Sequence, residues 1–259
     1  MVLWITSGSR VLLDLTMLTL LAHSPTHRAA PVSCRLEFSD EPMRVESVPT
    51  LRDGQVLQLY KGSLLDCDTG GWLWPAALVL CRWLATADGI QGSRVLELGC
   101  GTGAVGLYAA ALGASEVMMT DVVPAVLALA TANVELNRAL WTESTHVEAA
   151  ALPWGESSEL GSFDWVVGSD LVYAAGAEQQ LCWTLAEQLR LSEDCRIVIA
   201  QERRPLRDQR AGGTKNPDLD TTLDAFLAEA TSAGLEARQI GEEGLVSVVE
   251  IKRGEGWAS

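Results

Sequence analysis

The stretch Leu96-Glu97-Leu98-Gly99-Cys100-Gly101-Thr102-Gly103 decides the fold class of this chain of 259 residues. The apolar residues of Arg94–Leu98 predict a buried strand, and a helical pattern over Ala104–Leu112 follows the glycines directly. Glycine permits positive φ angles and lets a ligand approach bare backbone. In an open parallel sheet, ligands bind beyond the carboxyl ends of the strands, near the point where the strand order reverses. The stretch therefore predicts a ligand-binding turn after the first strand of such a sheet.

Strand and helix patterns alternate from this turn to the end of the chain. Because βα units at this spacing form parallel sheets with helices on both faces, we expect a Rossmann-like, doubly wound α/β sheet of seven strands. Only Gly241–Gly244 separates the last two strands, which is too short for a parallel crossover, so the last strand should be antiparallel. The expected strands are Arg94–Leu98, Glu116–Thr120, Thr145–Ala149, Phe163–Ser169, Arg196–Gln201, Leu235–Ile240 and Leu245–Ile251; the expected helices are Ala76–Ala85, Ala104–Leu112, Pro124–Asn137, Gly176–Leu189 and Thr221–Ala233.

The segments outside this pattern predict additions to one main domain, residues 71–252. Residues 31–70 alternate weakly between turn signals and predict a small β-hairpin extension. Residues 1–30 hold the apolar run Val11–Ala22, which is too short to span a bilayer and reads as either a targeting or a dispensable segment. The polar stretch Arg203–Asp220 predicts a mobile loop, and residues 253–259 predict a frayed tail.

Charge and cysteine usage narrow the class of partner and compartment. The chain has 34 acidic and 19 basic residues, a formal net charge of −15, which repels nucleic acid and favours a basic protein surface. Its six cysteines form no CxxC pair and it has three histidines, so we expect reduced, buried thiols and no metal site. These observations predict a cytoplasmic protein without a membrane or nucleic-acid partner.

Two classes of cofactor fit the glycine-rich turn. Gly101–Gly106 matches the dinucleotide fingerprint GxGxxG, and Asp121 stands about 20 residues on, where a ribose-binding acid is expected for either class. Two features favour S-adenosylmethionine instead. Glu97 puts a charge into a buried strand, where it needs a partner, and the turn begins nearly a hundred residues into the chain.

Motifs around the turn resemble a known family. The block Leu96–Gly103 resembles motif I of the seven-β-strand, or class I, S-adenosylmethionine-dependent methyltransferases. The wider pattern is similar to the methyltransferase family 16 protein-lysine methyltransferases, over roughly Gly70 to Ile251. The stretches that carry this likeness are Gly71-Trp72-Leu73-Trp74-Pro75-Ala76-Ala77, Leu96–Gly103, Thr120-Asp121, Leu152-Pro153-Trp154-Gly155, and Phe163-Asp164 with Ser169-Asp170-Leu171-Val172-Tyr173.

The resemblance implies an S-adenosylmethionine site. Asp121 would hold the ribose hydroxyls, because a carboxylate can accept both hydrogen bonds, and it could also serve as a helix N-cap before Pro124. Glu97 would stabilise the cationic methionine end, either directly or by fixing the glycine loop. Trp74 and Trp154 would flank the cofactor, unless they are ordinary core or lid residues. The implied cofactor-binding residues are Trp74, Glu97, Gly99, Cys100, Gly101, Asp121, Trp154 and Ser169.

The same resemblance assigns the acceptor side to Asp170 and Tyr173. Asp170 ends the fourth strand and would accept a hydrogen bond from the acceptor amine, as an orienting group more than as a strong base. Tyr173 would offer its ring to the amine or methylammonium. Glu202 is a further candidate beside this channel, and the basic loop after it either faces away or meets an acidic partner segment.

The expected function is transfer of a methyl group to a lysine exposed on a protein substrate, by a monomeric enzyme. The alternatives are a methyltransferase that acts on a small molecule or on arginine or histidine side chains, and a non-catalytic module that keeps the fold.

Overall fold

The computed structural model describes residues 41–45, 48, 51, 54–157, 159–173, 176–204, 221–255 and 257. The expected extension 1–30, the start of the hairpin region and most of the polar loop therefore lie outside the described residues. Within the described part, no helix combines the length and the apolar character that crossing a membrane requires.

The described residues contain nine strands and six α-helices. The strands are β1 (Met43–Arg44), β2 (Gln58–Leu59), β3 (Arg94–Leu98), β4 (Glu116–Asp121), β5 (His146–Ala151), β6 (Trp165–Ser169), β7 (Arg196–Glu202), β8 (Leu235–Glu243) and β9 (Val246–Arg253). The helices are α1 (Leu64–Cys67), α2 (Pro75–Leu84), α3 (Ala104–Ala111), α4 (Pro124–Asn137), α5 (Glu178–Leu191) and α6 (Thr221–Ser232), with 3₁₀ turns at Asp68–Gly71 and Arg138–Leu140.

Seven of these strands form one mixed sheet in the order β5-β4-β3-β6-β7-β9-β8. Strands β3 to β7 are parallel, and β9 lies antiparallel between β7 and β8. The predicted fold class is confirmed, including the antiparallel last strand and a two-stranded hairpin, β1–β2, ahead of the domain. The strand order reverses between β3 and β6, so a crevice is expected at their carboxyl ends.

Apolar layers cover both faces of the sheet. Val95, Leu96 and Leu98 of β3 are fully buried, as expected of a central parallel strand. Residues of α2 and α3 pack on one face in one buried cluster, and residues of α5 and α6 pack on the other face in a second cluster. Fully burying each large side chain contributes roughly 1.5–3 kcal/mol. The resulting rigid sheet fixes the loops that follow its strands.

Local contacts explain where the observed bounds differ from the predicted ones. β6 begins at Trp165 and not at Phe163, because the Asp164 carboxylate accepts a hydrogen bond from the Arg94 amide at 2.7 Å. Phe163 lies before the strand, and the centre of its ring is 4.9 Å from the Arg94 guanidinium carbon. The helix α1 was not predicted; Ser63 caps it by accepting a bond from the Asp66 amide at 3.2 Å.

Two buried asparagines of α4 attach the N-terminal hairpin to the domain. The side-chain oxygen of Asn133 accepts the Tyr60 amide at 2.7 Å, and its NH₂ group donates to the carbonyls of Tyr60 and Thr102 at 3.2 and 2.9 Å. Asn137 exchanges a similar pair of bonds with the backbone of Gln58. Asn133 thus joins the segment after β2 to the glycine-rich turn itself.

We expect Asn133→Ala to lower the free energy of unfolding by about 3 kcal/mol, because it leaves buried backbone groups without partners. Urea denaturation followed by circular dichroism would measure the change. Glu135→Ala, on the exposed side of the same helix, is the matched control and should stay within about 0.5 kcal/mol of the parent. Equal stability of both variants would show that the hairpin is held by apolar packing alone.

Candidate active site

One cavity at the carboxyl ends of the parallel strands is lined by the ten residues that the sequence predicted for cofactor binding and catalysis. Its volume is about 570 Å³, within the range that small-molecule sites occupy. The cavity lies beside the switch point between β3 and β6. The predicted residues in its wall are Trp74, Glu97, Gly99, Cys100, Gly101, Asp121, Trp154, Ser169, Asp170 and Tyr173. Their individual roles stay predictions.

The glycine-rich turn presents bare backbone to this cavity. Gly99 and Gly101 have φ angles of 57° and 52°, which residues with a side chain rarely adopt. A Cβ atom on Gly101 would lie 3.0 Å from the carbonyl oxygen of Gly70, a backbone atom that cannot turn away. The loop before α2 therefore lies directly against the glycine turn, and both loops form the wall.

Glu97 is buried beneath this turn and lines the cavity. Its Oε2 atom accepts a hydrogen bond from the Gly106 amide in the first turn of α3, at 2.9 Å. Burial raises the pKa of Glu97 to about 8, although the amides of Gly106 and Val105 lower it in part. A cation in the cavity would favour the ionised form of this carboxyl group.

Asp121, the last residue of β4, ties two turns together at the cavity wall. Its Oδ1 atom accepts the amides of Val122 and Val123 at 2.8 and 3.1 Å, and its Oδ2 atom lies 3.4 Å from the Gly101 amide. The N-cap of α4 is Val123, so the suggestion that Asp121 caps this helix was wrong. The longer contact at Oδ2 leaves this oxygen with the greater capacity to accept a ligand hydroxyl.

Asp170 follows β6 in a constrained position. Its φ angle is 55°, and its side chain is 4% exposed. The Asp170 amide donates to the Ala200 carbonyl at 2.8 Å, which ties the turn to β7. The Oδ1 atom accepts a bond from the Gln201 Nε2 atom at 2.9 Å, and Oδ2 forms an ion pair with the Arg204 guanidinium.

Gln201 and Arg204 complete this corner of the site, and the sequence interpretation missed both. Gln201 is 1% exposed and exchanges hydrogen bonds with the backbone N–H and C=O of Val172 at 3.1 and 3.0 Å. Its amide therefore fixes both the Asp170 carboxylate and the turn that carries Tyr173. A polar residue at the end of an apolar strand was the available signal.

The first two residues of the basic loop, Arg203 and Arg204, place their side chains in different surroundings. Arg203 faces away from the cavity, donating to Ser247 Oγ at 2.9 Å and to Gln239 Oε1 at 3.0 Å. Arg204 lines the cavity. The further candidate Glu202 lies outside the cavity wall, with its Oε2 atom 4.0 Å from the Arg204 Nη2 atom. The remainder of the loop, 205–220, lies outside the described residues.

Exposed aromatic rings surround the mouth of the cavity. Trp72 and Tyr173 are 53% and 55% exposed, and Trp74 donates from Nε1 to the Thr69 carbonyl at 3.1 Å. Trp154 is more enclosed and lies next to Gly99. Large exposed rings beside a cavity are typical of a surface that receives another molecule.

The five cysteines within the described part of the chain are buried free thiols, and they are poorly suited to act as nucleophiles. Burial raises the pKa of Cys182 and Cys195 to about 12 and holds that of Cys100, in the cavity wall, well above its usual range. Because the thiolate is the reactive form, the site is not built for thiol chemistry.

Comparisons with known proteins agree with this architecture. Residues 52–211 match the model of a family described as lysine methyltransferase. The protein N-lysine methyltransferase METTL21A of Danio rerio is 40% identical over 142 residues, 53% of this chain and 63% of that protein. The calmodulin-lysine N-methyltransferase of Arabidopsis thaliana is 30% identical over 224 residues, 82% of this chain and 67% of that protein. The chain thus spans less than two thirds of the METTL21A relative.

Solved structures share the fold at low sequence identity. The magnesium protoporphyrin IX methyltransferase ChlM of Synechocystis PCC 6803, solved with bound SAH, superposes with a TM-score of 0.52 at 15% identity, over 73% of this chain and 86% of that one. The glycopeptide N-methyltransferase MtfA superposes with a TM-score of 0.51 at 15% identity, over 70% and 92% of the two chains.

Proposed function

Because this chain belongs to the lysine methyltransferase family that matches its residues 52–211, we propose that it transfers a methyl group from S-adenosylmethionine to a lysine side chain of another protein. The observation that carries the proposal is the position of Asp170. Its carboxylate lines the same cavity as the glycine turn and Asp121, so one cavity offers both a cofactor side and an acceptor side.

The residues of the cavity suit S-adenosylmethionine in charge and shape. Glu97 offers a carboxyl group to the cationic methionine end, and Asp121 offers Oδ2 to the ribose hydroxyls. Trp154 offers an apolar face to an adenine, beside the bare backbone of Gly99. Cys100, Ser169 and Trp74 also line the cavity and complete the proposed cofactor side.

The proposed mechanism needs the chain mainly to align the acceptor and exclude water. The cofactor supplies an activated methyl group on a sulfonium. Asp170 accepts a hydrogen bond from the lysine amine. This bond holds the lone pair of the amine nitrogen along the line of attack. Tyr173 lies against the cationic product, a contact that contributes about 0.5–2 kcal/mol. The proton of the amine leaves to water.

The proposed setting of the enzyme follows from charge and thiols. We expect a cytoplasmic monomer whose partner is a protein with an exposed lysine, without nucleic acid or a membrane. The net charge of −15 favours a basic protein surface, and buried free thiols suit a reducing compartment.

Labelled methyl transfer tests the function. Purified protein is incubated with methyl-labelled S-adenosylmethionine and a cell extract, with Asp170→Asn as the control. Protein bands that hydrolyse to methyllysine and disappear in the control would support the proposal. Label confined to small molecules, or to methylarginine or methylhistidine, would overturn the lysine assignment and keep the methyltransferase.

We expect cofactor binding to release close to one proton at pH 7, because the carboxyl of Glu97, with a pKa of about 8, is mostly protonated there and a cation favours its ionised form. Affinity should accordingly rise with pH until about pH 8 and level off above it. Titration calorimetry in buffers of different ionisation enthalpy measures the released proton. Glu97→Gln should no longer release this proton when the cofactor binds. If the variant releases as many protons as the parent protein, Glu97 is not their source.

A further inference from the structure

The acceptor carboxylate is already paired within the chain. Arg204 Nη2 donates to Asp170 Oδ2, and Gln201 Nε2 donates to Oδ1 at 2.9 Å. A carboxylate offers about four lone-pair sites, so each oxygen of Asp170 can still accept one further hydrogen bond. An incoming amine can therefore bind Asp170 without removing Arg204.

This pairing matters because the acceptor must be uncharged when it reacts. A lone buried carboxylate favours the ammonium form of lysine, which has no lone pair. A guanidinium stays charged at every relevant pH, so the Asp170–Arg204 pair has no net charge. Among the described residues that line the cavity, Arg204 is the only cationic one.

The other ionisable groups near the pair are acidic or neutral. Glu202 Oε2 lies 4.0 Å from the Arg204 Nη2 atom, with its side chain 27% exposed. The remaining ionisable groups of the cavity wall are those of Asp68, Glu97, Asp121, Tyr173, Cys67 and Cys100. Without Arg204, this wall would favour a cationic acceptor throughout.

The backbone before Arg204 is anchored. The Arg203 amide donates to the Leu245 carbonyl at 2.7 Å. The guanidinium of Arg203 donates to Ser247 and Gln239, away from the cavity. The backbone bond from Arg203 to Leu245, which does not depend on the side chain at position 203, places the Arg204 side chain, 32% exposed, beside a carboxylate that is 4% exposed. A substrate ammonium would have to break a charge-assisted, largely buried bond to displace it.

Building on the proposed methyltransferase function, we infer that Arg204 is a positioning residue that stays on Asp170 during acceptor binding and thereby selects the neutral, nucleophilic form of the lysine amine. The ammonium loses its proton to water on binding. The amine nitrogen then forms the new N–C bond as the methyl C–S bond breaks, sulfur keeps that electron pair, and a proton of the methylammonium leaves to water.

Two cofactor analogues test this role without catalysis. Both carry nitrogen in place of the sulfonium; one bears an alkyl arm that ends in a primary amine, the other an alkyl arm of equal length. Calorimetry gives each Kd from pH 6 to 9.5 for the parent protein, Arg204→Gln, Arg204→Lys and Arg203→Gln. The ratio of the two Kd values reports the arm alone, because titrations shared by both analogues cancel.

In the parent protein we expect the ratio of the Kd of the alkyl analogue to that of the amine analogue to rise about tenfold per pH unit. The fraction of the amine that is neutral rises by the same factor below its pKa. Arg204→Gln should flatten this slope and bind the ammonium arm better at pH 7. Arg203→Gln, the same change one residue earlier, and Arg204→Lys should keep the parent slope.

A flat slope in the parent protein, or an unchanged slope in Arg204→Gln, would overturn the role of Arg204 while normal binding of the alkyl analogue leaves the cofactor assignment intact. Equal binding of the alkyl analogue by all variants also verifies that they fold. Failure of the parent protein to bind the alkyl analogue would overturn the proposed function and this inference together.

Discussion

Asp170→Asn should lower kcat about 100-fold and leave the Kd for S-adenosylmethionine nearly unchanged. The Asp170 side chain lines the cavity, and we propose that it accepts the hydrogen bond that aligns the amine. An amide NH₂ at that position donates instead of accepting, and misplacement of a reacting atom by about 1 Å can cost 100-fold. Asparagine tolerates the left-handed backbone conformation, with its φ of 55°, so the turn should keep its shape.

Single-turnover assays and calorimetric titration of the cofactor separate these two effects. Asp194→Asn makes the same change at an exposed aspartate before β7, at the opposite end of the sheet, and should have neither effect. Full activity of Asp170→Asn would exclude Asp170 from the acceptor site. An equal loss of cofactor affinity would contradict the separation of cofactor and acceptor roles along the cavity.

The strands along the chain and their directions were predictable because both depend on local pattern. The apolar run ending at Leu98, the glycine turn and the helix after it specify one βα unit, and short spacing specifies the antiparallel β9. Residues that end parallel strands meet at one edge of the sheet. Asp121 and Asp170 could therefore be expected in the same cavity from the sequence alone.

Contacts between distant segments were not predictable in this way. The pairing of Gln201 and Arg204 with Asp170 depends on the register of β6 against β7, which fixes how far each strand extends. The docking of the hairpin through Asn133 joins residues 73 positions apart, and asparagine within a helix carries no sequence signal for such a bond. Side-chain pairing across the sheet edge depends on tertiary structure. The sequence therefore placed Arg204 in a loop, whereas in the structure it lines the cavity and pairs with Asp170.

Asp121→Ala should raise the Kd for S-adenosylmethionine about 100-fold and leave kcat at saturating cofactor within a few-fold of the parent. The carboxylate is proposed to accept two ribose hydroxyls, and each hydrogen bond to a charged group contributes about 1.5–3 kcal/mol. Losing about 3 kcal/mol corresponds to roughly two orders of magnitude in affinity. Asp224→Ala, an exposed aspartate of α6, is the matched control and should bind the cofactor normally.

A second substitution separates ribose binding from support of the turn. Asp121 already holds the amides of Val122 and Val123 through Oδ1, so alanine removes both kinds of contact. Asp121→Asn can keep Oδ1 on these amides while an NH₂ group replaces Oδ2, the oxygen with capacity for a ligand, and gives up only the long contact of 3.4 Å from Oδ2 to the Gly101 amide. We therefore expect asparagine to lose most of the affinity that alanine loses, in the same calorimetric titration. Parent-like affinity in Asp121→Asn would mean that the carboxylate acts by shaping the turn, and that the ribose hydroxyls are held by other groups.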